Sequence, residues 1–288
     1  MPGPSALIGA GGFGVVYRET RNGRPVAVKY LRNEKLAMRE LKQVEHIRQF
    51  PHENIVDIID IDHSTTLIAV MMELCRYSLD DLVYSAADGQ PYTHNTEVTL
   101  RHMRAIAAAL AHLHKHNVVH RDLKPSNVII DNRGVTKLCD FGSGRLLSST
   151  VSRATVLGTV EYMAPELMRG ERVDKRIDVW SFGVLCWVLC TGEKPYGDRQ
   201  DPLGYHIIYN VGRGLAMLDF LLYTVAIEKL RQMRSQIITL RLNMSLIDDA
   251  RFAGVVSWCC ETDRSQRPTV QQLIDVDFRR ARTRTSSQ

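Results

Sequence analysis

Residues 120–142 of this chain read HRDLKPSNVIIDNRGVTKLCDFG, a stretch in which polar loops alternate with two short apolar runs. The first loop carries Asp122, Lys124 and Asn127, and the second apolar run delivers Asp140 to another loop. The intervening Asp-Asn-Arg-Gly sequence is typical of a turn, so the two runs are predicted to be strands. The stretch therefore predicts strands that bring four polar groups to one place.

These four side chains have the chemistry that phosphoryl transfer requires. Asp122 can act as a base or orient a hydroxyl group, and Lys124 can neutralise charge beside it. The amide oxygen of Asn127 and the carboxylate of Asp140 are hard oxygen ligands of the kind that Mg²⁺ prefers. Phosphoryl transfer depends mostly on positioning and on charge neutralisation by metal and lysine, so the stretch predicts a site for this reaction.

A glycine-rich stretch near the N-terminus fits the same chemistry. IGAGGFGVVY has Gly9, Gly11 and Gly14 in the spacing G-x-G-x-x-G, which alone fits a dinucleotide-binding turn, a phosphate-binding loop or a flexible loop. A dinucleotide-binding turn requires a helix directly after the last glycine. The chain instead continues VVYRETRNGRPVAVKYL, with the tight-turn pair Asn22-Gly23. The glycines are therefore predicted to begin a β-hairpin whose N–H groups can approach phosphate oxygens.

Lys29 ends the VAVK strand of this hairpin. A lysine at a strand end is usually solvated, but after a glycine-rich hairpin it can reach under the loop and offer a point charge to phosphates. The next stretch, NEKLAMRELKQVEHIRQF, predicts a helix with an apolar face that also carries Glu40. Because a buried carboxylate needs a partner, we expect Glu40 to pair with Lys29; a surface pair with a neighbouring lysine is the alternative.

The bulk composition excludes several classes of protein. The 288 residues favour two lobes, and 44% apolar with 24% charged residues indicate an ordinary folded chain. Part of the net charge of +5 lies in the tail RRARTRTSSQ, which is predicted to be a solvated end. We therefore expect no nucleic-acid or membrane partner, although the charge is compatible with an anionic ligand.

Cysteine spacing and apolar runs bear on the compartment and on metal binding. The six cysteines fit no zinc pattern, the longest strongly apolar run is too short to span a bilayer, and the N-terminus lacks the features of a signal peptide. These observations predict a cytoplasmic or nuclear protein with reduced thiols. His112 and His116 are predicted to close a helix end before Asn117 rather than to bind a metal.

At this point the chain resembles a eukaryotic protein kinase, from about Leu7 to about Phe278. The matching motifs are, in chain order, GxGxxGxV at 9–16, VAVK at 26–29, the helix glutamate Glu40, HRDLKxxN at 120–127, DFG at 140–142, APE at 164–166, DVWSFG at 178–183 and RPT at 267–269. So many motifs in this order are highly specific. GGFGVVY and GSGRLL resemble the tyrosine-kinase-like group, with mixed-lineage and Mos-type kinases that activate MAP kinase kinases as the most similar members.

The resemblance implies an α+β, bilobal protein kinase fold. A kinase domain is expected at about 1–280, with a small β-rich N-lobe that includes one helix at about 1–73. A hinge is expected at about 73–77, and a larger, mainly helical C-lobe at about 78–280. Residues 281–288 form the expected basic tail.

The resemblance also implies roles for the polar residues. Asp122 is expected to be the catalytic base, supported by Lys124. Asn127 and Asp140 are expected to hold Mg²⁺, or Mn²⁺ in its place. Lys29 is expected to bind the α- and β-phosphates of ATP while paired with the helix glutamate.

Further residues are expected to support the catalytic loop and to bind ATP. Asp178 is expected to brace the loop and Arg267 to pair with Glu166, against the alternative of ordinary helix and loop polarity. Met72 matches the residue that gates the adenine pocket. The expected ATP-binding residues are Gly9, Ala10, Gly11, Gly12, Phe13, Gly14, Val16, Ala27, Lys29, Met72, Glu73, Cys75 and Ile129. Among these, the alternative for Val16, Ala27 and Ile129 is plain core packing.

Two features bear on the acceptor and on regulation. Lys124 and Thr159 resemble the pair found in serine/threonine kinases, so a protein Ser or Thr hydroxyl is the expected acceptor. Arg121 and Arg145 are expected to hold a phosphate on Thr155, and phosphorylation there is expected to raise activity. A flexible Ser/Thr-rich loop is the alternative, and full activity of a Thr155→Ala variant would contradict the expectation.

Two other functions compete with a protein kinase. The first is an ATP-binding pseudokinase that acts as a scaffold, and the second is a small-molecule phosphotransferase of related fold. The scaffold is weakened by the joint presence of Lys29, Asp122, Asn127 and Asp140. Two features keep it open: a spacing of only 11 positions between Lys29 and Glu40 (40 − 29), and the unusual, apolar and helical-looking segment 204–250. The small-molecule enzyme is disfavoured by the APE motif, by Lys124 and by the activation segment that precedes the APE motif.

Overall fold

The computed structural model describes residues 6–11, 14–31, 34–62, 68–85, 92–141, 145–146, 159–169, 171–195 and 242–276. Within these ranges, a small antiparallel sheet with one helix is followed by a larger, mainly helical part. The predicted α+β fold with a β-rich N-lobe and a helical C-lobe is therefore confirmed. Of the helices in these ranges, none is both long enough and apolar enough to cross a lipid bilayer.

Five antiparallel strands form the N-lobe sheet. They are β1 (Ala6–Gly11), β2 (Gly14–Arg21), β3 (Arg24–Leu31), β4 (Ile58–Asp62) and β5 (Ala69–Glu73). Their order across the sheet is β1-β2-β3-β5-β4. The predicted hairpin joins β2 to β3, and its turn residues Asn22 (φ 51°) and Gly23 (φ 74°) both adopt the left-handed conformation that such a two-residue turn requires.

The single N-lobe helix, α1 (Glu34–Arg48), packs against this sheet. Its residues Leu41, Val44 and Ile47 are buried, in agreement with the predicted helical spacing. Val44 forms a small core with residues of β3 and β5. Glu40 lies on the same buried side of the helix, where it is only 3% exposed.

The connector of residues 49–57, which leads from α1 to β4, is bonded along its main chain to the C-lobe. Its backbone pairs with Leu138: the N–H of Val56 donates to the Leu138 carbonyl, and the N–H of Leu138 donates to the Asn54 carbonyl, at 2.9 Å each. Ile55 forms a parallel bridge with the same residue. The two lobes are therefore joined behind the cleft by main-chain hydrogen bonds.

Aromatic rings extend this attachment. The ring of Phe50 stacks on that of His116, with 3.8 Å between centroids, and Nε2 of His112 lies 2.8 Å from the Phe50 carbonyl oxygen. His112 lies in the last turn of its helix, as predicted, and its side chain also contacts the connector. Asn117 does end that helix, in a left-handed conformation with φ 59°.

Short strands in the C-lobe support the polar loops. They are β6 (Tyr77–Ser78), β7 (Val118–Val119), β8 (Val128–Ile130), β9 (Thr136–Leu138) and β10 (Arg145–Leu146). β8 and β9 are the two predicted strands and pair as a hairpin. Its turn is fixed by the Asp131 carboxylate, which accepts the N–H groups of Arg133 and Val135 at 2.8 Å. The loop with Asp122 thus lies between β7 and β8, and Asp140 follows β9.

Helices make up the remainder of the described C-lobe. They are α2 (Leu79–Tyr84), α3 (Thr96–Lys115), α4 (Pro165–Met168), α5 (Arg176–Thr191), α6 (Ala250–Cys259) and α7 (Val270–Asp275). Most of α5 is buried, and α6 packs closely on it. The approach depends on Gly183, because a Cβ there would lie 2.6 Å from Cβ of Cys259.

The segment 204–250 is described only from residue 242. There the structure has a 3-10 turn at Met244–Leu246, and α6 begins at Ala250, so the predicted helical character of 242–249 is wrong. The physical reason is capping: the side chains of Asn243 and Asp249 accept backbone N–H groups and start new segments. The remainder of this segment and the tail 281–288 lie outside the described residues.

Candidate active site

Lys29 and Glu40 meet in the cleft, joined by a third charged residue. Lys29 lies on β3 opposite Val16 of β2, and its Nζ is 2.6 Å from Oε1 of Glu40 and 2.7 Å from Oδ1 of Asp140. Burial alone would lower the pKa of Lys29, but the Asp140 and Glu40 carboxylates outweigh it and raise the pKa above its usual value. The ammonium group is therefore kept charged at the base of the cleft.

The loop after β7 brings four predicted residues together. Oδ1 of Asp122 accepts hydrogen bonds from the backbone N–H and the hydroxyl of Thr159, at 2.9 and 3.1 Å. Oδ2 lies 3.0 Å from Nζ of Lys124 and 3.1 Å from the amide nitrogen of Asn127. Lys124 also donates to the Thr159 hydroxyl at 2.7 Å. The carboxylate is thus held from both sides.

Asp178 fixes the backbone of this loop from below. Its carboxylate accepts the N–H groups of His120 and Arg121, both at 2.9 Å, and Arg121 has the unusual φ of 70°. The side chain is fully buried. Burial alone would raise the pKa of Asp178, but His114 and the loop N–H groups hold it below its usual value. The structure therefore places Asp178 where the resemblance implied a brace.

His114 was missed by the sequence reasoning. Its Nε2 lies 2.8 Å from Oδ2 of Asp178, and both side chains are buried. His114 is in α3 and Asp178 in α5, 64 residues later, so the pairing arises only when the two helices pack. No local pattern in the sequence could have indicated it.

The loop of Asp140 is tied to the loop of Asp122. The N–H of Cys139 donates to the Asn127 carbonyl at 3.0 Å, and Nε2 of His120 lies 3.0 Å from the Cys139 carbonyl oxygen. Asp140 itself has a left-handed φ of 59°. This strained conformation turns its carboxylate to Lys29 instead of continuing the strand.

The residues expected around ATP lie on the strands of the N-lobe sheet and at the start of the C-lobe. Ala27 of β3 pairs with Met72 of β5, and Ala27 is buried while Met72 is half-buried. Glu73 ends β5, and Cys75 lies between it and β6. Ile129 is in β8 and Val16 in β2.

The glycine stretch is described in part. Gly9, Ala10 and Gly11 belong to β1, and Gly11 pairs with Gly14 of β2. Gly14 cannot be replaced without movement of the backbone, because a Cβ there would lie 2.3 Å from the Tyr30 carbonyl oxygen. Gly12 and Phe13 lie outside the described residues.

Glu166 and Arg267 form a buried, two-bond ion pair. The guanidinium donates to Oε1 and Oε2 at 2.6 and 2.8 Å, and also to the Glu261 carbonyl at 2.7 Å. It stacks over the ring of Trp180, 4.9 Å from the ring centroid. The pair joins α4 to the segment before α7, and it fits the geometric preference of arginine for carboxylates.

Only part of the predicted regulatory phosphate site lies within the described residues. Arg121 belongs to the loop above Asp178, and the backbone of Arg145 in β10 pairs with Val119 of β7. Thr155 lies outside the described residues. The role of these residues in binding a phosphate stays a prediction.

A divalent cation fits the donor groups that are present. Among the described residues, the structure contains no group of three or more His, Cys, Asp or Glu side chains that could enclose a metal ion. Asn127 uses its amide nitrogen to hold Asp122, so its amide oxygen is the atom suited to a metal, and the side chain of Asp140 is 31% exposed. One carboxylate and one amide oxygen suit a cation such as Mg²⁺ that is shared with phosphates.

Comparison with known proteins identifies relatives of this chain. The family model described as "Protein kinase domain" matches residues 4–279. The chain is 35% identical over 207 residues to mitogen-activated protein kinase kinase kinase 12 of Rattus norvegicus, which covers 71% of this chain and 22% of that protein. It is 33% identical over 205 residues to mitogen-activated protein kinase kinase kinase 13-B of Xenopus laevis, with coverage of 71% and 20%.

A further relative is serine/threonine-protein kinase dkf-2 of Caenorhabditis briggsae, 32% identical over 206 residues, with coverage of 68% of this chain and 17% of that protein. The matches span about a fifth of the length of these relatives. The predicted resemblance to eukaryotic serine/threonine kinases of the MAP kinase kinase kinase type is confirmed, and the chain belongs to the protein kinase domain family.

Proposed function

We propose that this chain is a serine/threonine protein kinase domain that transfers the γ-phosphoryl group of ATP to a protein hydroxyl in intracellular signalling. The observation that carries the proposal is the set of bonds around Asp122, whose carboxylate is held by Thr159, Lys124 and Asn127. A carboxylate fixed in this way can accept the proton of an incoming hydroxyl group. Lys124 beside it offsets the negative charge that develops during transfer.

The other wall of the cleft supports nucleotide binding. Lys29 is held in its charged form, and its contact with Glu40 directs the ammonium group toward the cleft. We assign Asn127 and Asp140 as the residues that hold Mg²⁺. Held there, a divalent cation would supply positive charge that offsets the negative charge of the ATP phosphates.

The acceptor class follows from the surroundings of Asp122. Lys124 and Thr159 contact each other directly above the carboxylate, which supports a short Ser or Thr side chain as the acceptor. Several relatives are named MAP kinase kinase kinases, so we propose that the substrate is another protein kinase of such a cascade. We also propose a cytoplasmic or nuclear location, on the basis of the cysteine spacing.

The scaffold alternative loses one of its two supports. The short spacing between β3 and α1 does not prevent contact, since Lys29 and Glu40 are 2.6 Å apart. The other support, the segment 204–250, lies mostly outside the described residues. The geometry therefore favours a catalytic domain over a binding module.

The test is transfer of radiolabelled phosphate from Mg-ATP to matched peptides that differ only in a Ser, Thr or Tyr acceptor. We expect label on the Ser and Thr peptides, and loss of transfer in Asp122→Asn and Asp140→Asn variants. Label that persists in both variants would show a contaminating kinase. If the chain has first been phosphorylated by an activating kinase and then binds ATP without transferring phosphate to any acceptor, the scaffold function would be supported instead.

A further inference from the structure

Lys137 is a buried lysine that lies outside the site described above. It is on β9, only 2% exposed, and its Nζ is 2.7 Å from Oε1 of Glu73. A buried ammonium group is unfavourable unless a carboxylate compensates it, so this contact is required by the position of the side chain. Lys137 belongs to the C-lobe and Glu73 ends β5 of the N-lobe sheet, so the ion pair crosses between the lobes.

The Glu73 carboxylate is held from a second direction as well. Its Oε1 accepts the N–H of Asp57 at 2.8 Å, and the N–H of Glu73 donates to the Asp57 carbonyl at 3.0 Å. Asp57 ends the connector that is bonded to β9. The side chain and the main chain of Glu73 are therefore fixed by the same structural unit.

This fixed point lies at the start of the segment that is expected to meet adenine. The next main-chain bond to the C-lobe is the one from the N–H of Arg76 to the Ile130 carbonyl, at 2.8 Å. Leu74 and Cys75 lie between these two attachments. The Leu74 carbonyl also accepts one long hydrogen bond, 3.5 Å from the amide nitrogen of Asn132, so the conformation of these peptide groups depends mainly on how firmly Glu73 and Arg76 are held.

We propose that Lys137 is a positioning residue for the nucleotide. By binding the Glu73 carboxylate, it fixes the main chain of residues 73–75 in the conformation that bonds to adenine. The inference rests on the proposed function. Lys137 raises the affinity for adenine without touching it. A hinge that is already ordered before binding loses less conformational freedom when the nucleotide binds.

The decisive variant is Lys137→Met, which retains the apolar stem and removes the charge. We expect the dissociation constant for adenosine, measured by calorimetry, and the KM for ATP each to rise about tenfold, the change that about 1.4 kcal/mol produces. The value of kcat and the KM for the peptide should stay within about twofold. Lys137→Arg should restore most of the affinity, since it retains a cation for Glu73.

Hydrogen exchange of the free protein gives a readout that needs no ligand. Amides of residues 74–76 should exchange faster in Lys137→Met than in the wild type. The matched control is Leu273→Ala in α7, a buried position far from the cleft, which should lower stability without any change in adenosine binding or hinge exchange.

Two results would overturn this inference and leave the proposed function intact. If Lys137→Met binds adenosine as tightly as the wild type, the ion pair of Lys137 with Glu73 serves only packing. If kcat rises while the KM for ATP is unchanged, the ion pair restrains the relative movement of the lobes instead. Failure of the wild-type protein itself to bind adenosine or ATP would instead overturn the proposed function.

Discussion

Charge is buried in two regions of this domain by different means. In the cleft, Lys29 contacts Glu40 and Asp140 through single bonds, and its partners lie on separate segments of the chain. In the C-lobe frame, Arg267 makes two parallel bonds to Glu166 and a further bond to a backbone carbonyl. A single bond can be exchanged for another partner more readily than a two-bond ion pair, which has to break both bonds at once. The cleft is therefore suited to chemistry and the frame to stability.

The strongest test of the frame is Arg267→Met. The substitution leaves the Glu166 carboxylate buried without its cation, so we expect the free energy of unfolding to fall by about 3–5 kcal/mol. Urea denaturation monitored by circular dichroism measures this change. The double variant with Glu166→Gln should recover part of the loss. If the free energy of unfolding falls by less than about 1 kcal/mol, the pair of Arg267 with Glu166 does not serve stability and the contrast with the cleft is wrong.

The matching test of the cleft is Lys29→Met. We expect kcat to fall by about 10²–10³-fold, because a charge that stabilises the phosphates is lost. The loss of stability should be smaller than for Arg267→Met, since the side chain of Asp140 is 31% exposed and can turn to water, and since burial already raises the pKa of Glu40, so that this carboxyl group can take up a proton when Lys29 is removed. Kinetic assays and urea denaturation of the same samples give both values. Equal destabilisation by the two variants would contradict the comparison.

The pH dependence of unfolding tests a second buried polar side chain of the C-lobe, that of His102. Burial, with a smaller contribution from Arg101, lowers the pKa of His102 from 6.5 to about 4, and its Nδ1 lies 2.8 Å from the Thr136 hydroxyl. A histidine with a lowered folded-state pKa stabilises the fold fully above pH 6.5, and this contribution is lost as the pH falls toward 4. Between pH 7 and pH 5 the wild type should therefore lose about 2 kcal/mol more than His102→Asn. Parallel pH curves for the two proteins would show that His102 is not neutral in the folded state.

The smallest expected effect concerns Thr159 in the cleft. Thr159→Val removes the hydroxyl that contacts Asp122 and Lys124 but retains the backbone bond to Asp122. Two hydrogen bonds are lost, but Lys124 retains its contact with Asp122, so we expect a net cost of about 1 kcal/mol. The value of kcat should therefore fall about fivefold, while Thr159→Ser stays near the wild type. A similar loss in both variants would indicate that shape matters at this position rather than the hydroxyl.

The sequence predicted those parts of the site that depend on local chemistry. The loops around Asp122 and Asp140 followed from polar residues between apolar runs, and the contact of Glu40 with Lys29 followed from helix periodicity. The hairpin at Asn22-Gly23 followed from turn chemistry. In each of these cases the signal lies within about one element of the residue concerned, where backbone preferences act directly.

The sequence could not predict contacts that arise from packing between distant elements. His114 reaches Asp178 only because α3 and α5 pack, and Lys137 reaches Glu73 only because β9 lies behind the end of β5. The segment 242–249 was mistaken for a helix because its apolar content resembles one, whereas side-chain caps decide its backbone. Such capping competes with helix formation in ways that apolar content does not reveal.

The attachment of the connector to the C-lobe turns α1 into a lever. Its C-terminal end is held at Phe50, which stacks on His116, and Glu40 lies eight residues before the last residue of the helix. At about 1.5 Å per residue, this gives an arm of about 12 Å, so a rotation of about 10° about the fulcrum moves the Glu40 carboxylate by about 2 Å. That displacement is comparable with the 2.6 Å contact to Lys29. A rotation of α1 by about 10° would therefore be enough to break the contact between Glu40 and Lys29.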